Sequence, residues 1–345
     1  MEFDLYNLLR DNIKNLVPYS SARDEYTGKN AIFLDANENP FESGINRYPD
    51  PLQRELKEII ADIKKVPAQN IFLGNGSDEP IDLLFRAFCQ PGKDNVVAIK
   101  PTYGMYKVCA DINDIEYRES LLTSDFQIDT DGLLTEQNER TKLTFICSPN
   151  NPTSNKLNYT DIEKVLNASK GLVVLDEAYI DFSDDKGFLS RLTEFPNLVI
   201  LHTFSKAWGM AGIRLGMAFA SQEIIQVLNR IKYPYNINIL TQQEALKQLL
   251  RKEQKDLAVK ILIEQRTVLS QKLSSLPMVL NIMPSDANFL MVKVTEPKRI
   301  FDFLTERKII VRDRSKVALC DGYLRFTVGT EAENQELLKA LEEYN

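Results

Sequence analysis

The sequence predicts an α/β fold, with a mainly parallel central sheet in a large domain and a smaller α+β domain after it. Three observations lead there. Short apolar strands alternate with helical patterns through the middle of the chain, the arrangement of a parallel sheet covered on both faces. After about residue 240 the texture changes to long amphipathic helix and then to short strands. At 345 residues, with 43% hydrophobic and 26% charged residues, the chain is long enough for about two domains and a large core.

The elements follow in order. Residues 1–35 read as an N-terminal arm, too short to fold alone and expected to pack on the small domain. Residues 36–240 read as the large domain. Its strands are expected over 96–100, 143–147, 172–179, 198–204 and 213–220, each a run of apolar and β-branched residues. Its helices are expected over 51–63, 79–88 and 161–168, where apolar residues recur at helical spacing. Residues 241–345 read as the small domain. A single long helix is expected over 241–276, strands over 288–294, 308–313 and 323–329, and a last helix over 331–343.

Composition excludes several functions. Lys and Arg total 42 against 49 Asp and Glu, a net charge of −7, which argues against a nucleic-acid binder. His202 is the one histidine, so a multi-histidine metal site is excluded and no metal is expected. We read His202 as a packed structural residue at a strand end. Cys89, Cys109, Cys147 and Cys320 form no C-x-x-C pair and read as reduced, buried thiols. No apolar run exceeds four residues, so no membrane span is expected. The acidic start lacks the features of a signal peptide. The expected location is therefore cytoplasmic.

The chemistry concentrates at strand ends. In Thr203-Phe204-Ser205-Lys206, followed by Arg214, two hydroxyls and a guanidinium suit a phosphate, beside a lysine able to form a Schiff base with an aldehyde cofactor. By itself this loop reads more readily as a surface lysine and a structural arginine, and the neighbouring motifs shift that reading. Gly74-Asn75-Gly76-Ser77-Asp78 leads into a helix whose first N–H groups can receive a phosphate, although an ordinary loop and cap gives the same pattern. Asp176 ends an apolar run, where a buried carboxylate needs a positive partner such as a protonated pyridine nitrogen. Asn151 and Tyr179 could hydrogen-bond a phenolate oxygen on such a ring, and Tyr103 could stack on its face.

Together SPNNPT (148–153), DEAY (176–179) and SKAWGMAGIRLG (205–216) resemble the fold-type I pyridoxal-phosphate aminotransferases, in that family's order over nearly the whole chain. The resemblance implies Lys206 as the Schiff-base lysine, Asp176 as the pyridinium partner, and Asn151 and Tyr179 at the ring oxygen. It implies phosphate contacts from Ser77, Asp78, Thr203, Ser205 and Arg214, with Tyr103 stacking. The segments 15–19, 34–40, 46–49, 101–106, 310–313 and 324–329 look like the histidinol-phosphate branch of that family. That likeness implies a homodimer in which Tyr48 reaches the neighbour's cofactor phosphate. It also implies that Tyr19, Asn151, Arg312 and Arg325 contact substrate. The implied reaction takes histidinol phosphate and 2-oxoglutarate to imidazole-acetol phosphate and glutamate.

One residue departs from the pattern: Ser154 stands where the family usually has glycine, so the loop after Asn151 is expected to bend differently. The rival readings are a threonine-phosphate decarboxylase, another amino-acid aminotransferase of the same fold, and a catalytically silent binding protein. A nicotinamide dehydrogenase lacks its G-x-G-x-x-G here.

Overall fold

The computed structural model describes residues 3–19, 22–25 and 31–344. Seven strands form the large sheet: β1 Ile71–Asn75, β2 Asn95–Lys100, β3 Glu116–Leu121, β4 Thr141–Cys147, β5 Leu172–Asp176, β6 Leu198–Thr203 and β7 Leu215–Phe219. Their order is β1-β7-β6-β5-β4-β2-β3. β7 runs antiparallel to both its neighbours, and the other pairings are parallel. The mixed hand at β7 has a simple local cause. β6 returns into it through the short 204–214 loop, with no crossover helix, so the chain must reverse.

The central strands are buried on both faces, as parallel strands require. Along β5, Val173 and Leu175 point into one apolar layer, while Leu172 and Val174 point into the other. β6 alternates in the same way, with Leu198 and Ile200 on one side and Val199 and Leu201 on the other. The second layer centres on aromatic stacking. Phe145 lies between Phe85 and Tyr106, at centroid distances of 5.4 and 4.6 Å.

A second, antiparallel sheet follows: β8 Val279–Ile282, β9 Phe289–Val294, β10 Arg312–Asp313 and β11 Tyr323–Thr327, in the order β10-β11-β9-β8. The helices Pro297–Glu306 and Glu331–Glu342 pack on it through Ile300, Leu304, Leu337 and Leu341. Thr330 and Glu333 form a capping box at the start of the last helix.

Two expectations are corrected. The long helix is two, Ile239–Leu249 and Lys252–Ser274, broken at Leu250 and Arg251. They serve different cores. Ala245 and Leu249 join the large sheet's layer, whereas Leu269 and Leu273 join the small sheet's core. The start of the arm packs on the large sheet's helices, not on the small sheet. Leu9 and Ile13 are buried with Ala87, Phe88 and Val227, and the Arg10 N–H donates to Ala87 O at 3.0 Å. Those two apolar side chains find their hydrophobic partner next to the large sheet.

Because Phe145 holds both neighbouring rings, Phe145→Ala is expected to cost about 3–5 kcal/mol. Urea unfolding would measure this, and a loss below about 1 kcal/mol would contradict the packing argument.

Candidate active site

The sheet register brings the chemistry to one edge. Cys147 of β4 pairs with Asp176 of β5, and Thr203 of β6 pairs with Gly216 of β7. β1 ends against Leu215. Every loop leaving these strand ends therefore opens on the same side, the carboxyl edge where α/β sheets bind ligands. A cleft of about 640 Å³ lies there. It is lined by Ser77, Asp78, Tyr103, Asn151, Asp176, Tyr179, Thr203, Ser205, Lys206 and Arg214 from the large sheet, and by Arg312 and Arg325 from the small one.

Asp176 forms the floor. It is 3% exposed. One carboxylate oxygen accepts from the Tyr106 hydroxyl at 2.7 Å, and the other accepts from the Ala178 N–H at 3.0 Å. Among the described residues, no cation stands within ion-pair distance of it. Burial pushes its carboxyl up to about 6, although both hydrogen bonds pull the other way. A protonated ring nitrogen seated against it would supply the missing charge.

Lys206 projects into the cleft with its ammonium 5.4 Å from the centre of the Tyr179 ring. Burial, then the charges of Arg325 and Arg214, hold its amine below the ordinary lysine range, while Asp176 and Asp78 oppose them. A lysine so placed keeps a larger neutral, nucleophilic fraction.

The anion cradle is built on close backbone approach. Ser77 precedes the helix Asp78–Phe88, and Ser77 and Asp78 line the cleft at the helix start, where the first N–H groups have no intrahelical partner. Gly76 has φ +71°, and a Cβ there would lie 2.6 Å from Arg214 Nη2. A Cβ on Gly216 would meet Gly76 C and Ser77 N at 2.3 Å. Gly216, packed against backbone, therefore requires glycine, and the positive φ at Gly76 favours it. Arg214 reaches Ser205 Oγ and Asp78 at 3.5 Å, contacts loose enough to yield to a phosphate. Tyr103 donates its hydroxyl to Asp78 at 3.1 Å, which sets its ring across the cleft. This donor set fits a phosphorylated pyridine aldehyde: a phosphate nest, a carboxylate for the ring nitrogen, a ring-covering tyrosine and an amine.

Opposite the cradle, Arg325 donates to Asn151 Oδ1 at 2.5 Å, across the gap between the two sheets. Arg312 stands directly opposite Arg325 in the β10–β11 pair. Ser154 adopts φ +69°, the left-handed region that favours glycine. Its hydroxyl donates to Thr153 O at 2.5 Å and Pro284 O at 3.1 Å, and its carbonyl accepts from the Asp286 N–H at 2.8 Å. The loop thus keeps the glycine-like bend and gains a tie to the small sheet.

Two residues expected at the site lie outside the cleft of the single chain. Tyr19 is 74% exposed and borders a separate hollow beside Arg230 and Tyr233, which follows from the arm docking on the large sheet. Tyr48 is stacked on Tyr235 at 4.4 Å. Its backbone is clamped by Glu38 and Arg23, each at 2.5 Å. The sequence reading missed Tyr106 as the partner of Asp176, and missed Arg314 in the cleft wall. A second tyrosine three residues after Tyr103 was the available signal for Tyr106. His202 bonds Glu177 at 3.0 Å inside the core, the structural role expected. All four cysteines are free and buried. Among the described residues, no helix is long and apolar enough to cross a membrane.

The family model for class I and II aminotransferases matches residues 30–341. The chain belongs to that family. This aminotransferase is 56% identical to the histidinol-phosphate aminotransferase of Cytophaga hutchinsonii over the full length of both chains. It is 58% identical to that of Bacteroides fragilis, over 99% of each. Among solved structures, the histidinol-phosphate aminotransferase of Clostridium acetobutylicum superposes with a TM-score of 0.80 at 24% identity, covering 87% of this chain and 90% of that one. The Sinorhizobium meliloti histidinol-phosphate aminotransferase, in complex with pyridoxal-5'-phosphate, gives 0.79 at 22% identity, over 86% and 82%. At these identities the structures share the aminotransferase fold.

A carboxyl raised in the folded state binds its proton more tightly when folded. Its contribution to stability is intact below the unfolded value near 3.8 and is lost as pH rises through about 6. Asp176→Asn in the ligand-free aminotransferase is therefore expected to stabilise it at pH 7.5 by about 1–3 kcal/mol, with the gain vanishing near pH 4. Urea unfolding at both pH values measures this; an equal effect at both would contradict the electrostatic origin.

Proposed function

We propose that this protein transfers the amino group of histidinol phosphate to 2-oxoglutarate, giving imidazole-acetol phosphate and glutamate, with pyridoxal 5'-phosphate as cofactor. The observation that carries the reading is the cleft itself, where Lys206 and Asp176 face Arg312 and Arg325, neither of which has a carboxylate within ion-pair distance among the described residues. The full-length identity to histidinol-phosphate aminotransferases supports it.

When bound, pyridoxal phosphate supplies an aldehyde that takes up the amino group and a cationic ring that withdraws electrons from the substrate's Cα. The remaining work belongs to the chain. Ser77, the backbone at Asp78, Thr203, Ser205 and Arg214 hold the cofactor's phosphate. Asp176 keeps a proton on the ring nitrogen, and Tyr106 and Ala178 fix that carboxylate in place. Tyr103 covers one ring face, while Asn151 and Tyr179 address the ring oxygen. With the cofactor bound, the Lys206 amine would take up and return the proton at the substrate's Cα, a task its depressed basicity suits. Arg312 and Arg325 bind the substrate's phosphate through charge-assisted forks.

The same proposal includes a homodimer, in which Tyr48 of one copy reaches the cofactor phosphate of the other, and a cytoplasmic location. It divides the chain near residue 240 into a large cofactor-binding domain and a small domain.

Purified protein supplied with histidinol phosphate and 2-oxoglutarate should form glutamate with ping-pong kinetics. Carbon dioxide from threonine phosphate, with no glutamate formed, would overturn the reading. Lys206→Ala should lower turnover by about 10³-fold or more; near-normal turnover would contradict its role as the base.

A further inference from the structure

The substrate wall of the cleft holds one more cation than the two arginines already named. Arg314 lines the cleft beside Arg312 and Arg325. Its N–H donates to Tyr323 O at 2.9 Å, which extends the β10–β11 pairing by one residue. Arg312 and Arg314 are two residues apart on an extended strand, so their side chains leave on the same face. Arg325 meets them from the adjacent strand.

Arg314 differs from its neighbours in how it is held. Arg312 is exposed, whereas Arg314 is half-buried, and its Nε is enclosed without a hydrogen-bond partner. Asp313, the nearest acid in sequence, is engaged by Ser315. Among the described residues, no carboxylate lies within ion-pair distance of any of the three guanidiniums. Three like charges gathered in a partly buried wall repel one another, and Arg314 and Arg325 are each made less basic by burial and by their cationic neighbours. Such an arrangement calls for an anion of high charge density.

On the functional reading above, the two amino donors present different anions to this wall. Glutamate carries one carboxylate directly on Cα and a second at the end of its side chain, each with one charge and two oxygens. Histidinol phosphate carries a phosphate ester on a methylene group, with nearly two charges, more acceptor oxygens and a longer reach from Cα. Arg325 is tied to Asn151, on the cofactor side, and so lies in reach of either group. Arg314 lines the same cleft from the neighbouring strand, beside Arg312, and carries no tie to the cofactor side. We infer that Arg314 is a specificity-determining residue: it engages the phosphate of the phosphorylated donor and contributes little to the shorter carboxylate, so that one wall accepts both donors yet favours the dianion.

The test compares Arg314→Gln and Arg314→Lys with the wild-type holoenzyme. Three readouts are used: kcat/KM for histidinol phosphate, kcat/KM for glutamate in the reverse half-reaction, and competitive inhibition by inorganic phosphate. With Arg314→Gln, the preference for histidinol phosphate over glutamate should fall about tenfold, the equivalent of about 1.4 kcal/mol. The inhibition constant for inorganic phosphate should rise by a similar factor. Arg314→Lys, which keeps the charge and loses the fork, should fall between, and it serves alone if the Gln variant does not fold. Equal losses on both donors with unchanged phosphate inhibition would overturn the assignment. If the wild-type enzyme takes no amino group from histidinol phosphate, the functional reading fails separately. Phosphate inhibition of glutamate turnover then decides Arg314: weaker inhibition in the variant supports the anion site, and unchanged inhibition overturns it.

Discussion

A carboxylate at the end of β5, enclosed by the sheet and without an ion-pair partner among the described residues, is the constraint around which the site is organised. Asp176 has given up most of its water for two hydrogen bonds. That is too little to compensate an ionised group in an apolar setting, and its raised proton affinity expresses the deficit. A positively charged heterocycle would remove the deficit, so the cost held in the ligand-free protein would become affinity for the right ring. On the proposed reading, such a ring would be held between Lys206 and the phosphate-binding loop.

The sheet makes that convergence rigid. β4 and β5 end in step, β6 runs two residues further to Thr203, and the reversal into β7 carries Arg214 and Gly216 back to the same edge. The small sheet closes the other wall, with bonds from Arg325 to Asn151 and from Ser154 to Pro284 crossing the gap. Ser154 illustrates how a departure from a family pattern is absorbed. The backbone conformation that glycine favours is kept, and the added hydroxyl is satisfied by two carbonyls.

Much of this was legible in the sequence, because strand-end chemistry is local. Lys206, Thr203, Ser205 and Arg214 lie within one loop, and Asp176 ends an apolar run that can only be a buried strand. What escaped depends on tertiary contact. The tyrosine three residues after Tyr103 stands out in the sequence, but only the fold makes its hydroxyl the partner of a carboxylate seventy residues away. Arg314 looks like any loop arginine until its pairing with Tyr323 sets its face. The break at Leu250 and Arg251 carries no glycine or proline, since two helices with one continuous apolar rhythm separate only because they serve different cores. The docking of the arm turned on Leu9 and Ile13, whose apolar character does not say which domain they meet.

The central claim, that Lys206 is the amine carrying the cofactor aldehyde, is tested most directly by reducing the holoenzyme with borohydride and mapping the labelled peptide by mass spectrometry. The account predicts one stable pyridoxyl adduct, on Lys206. An adduct on another lysine, or none in protein that has taken up the cofactor, would contradict it.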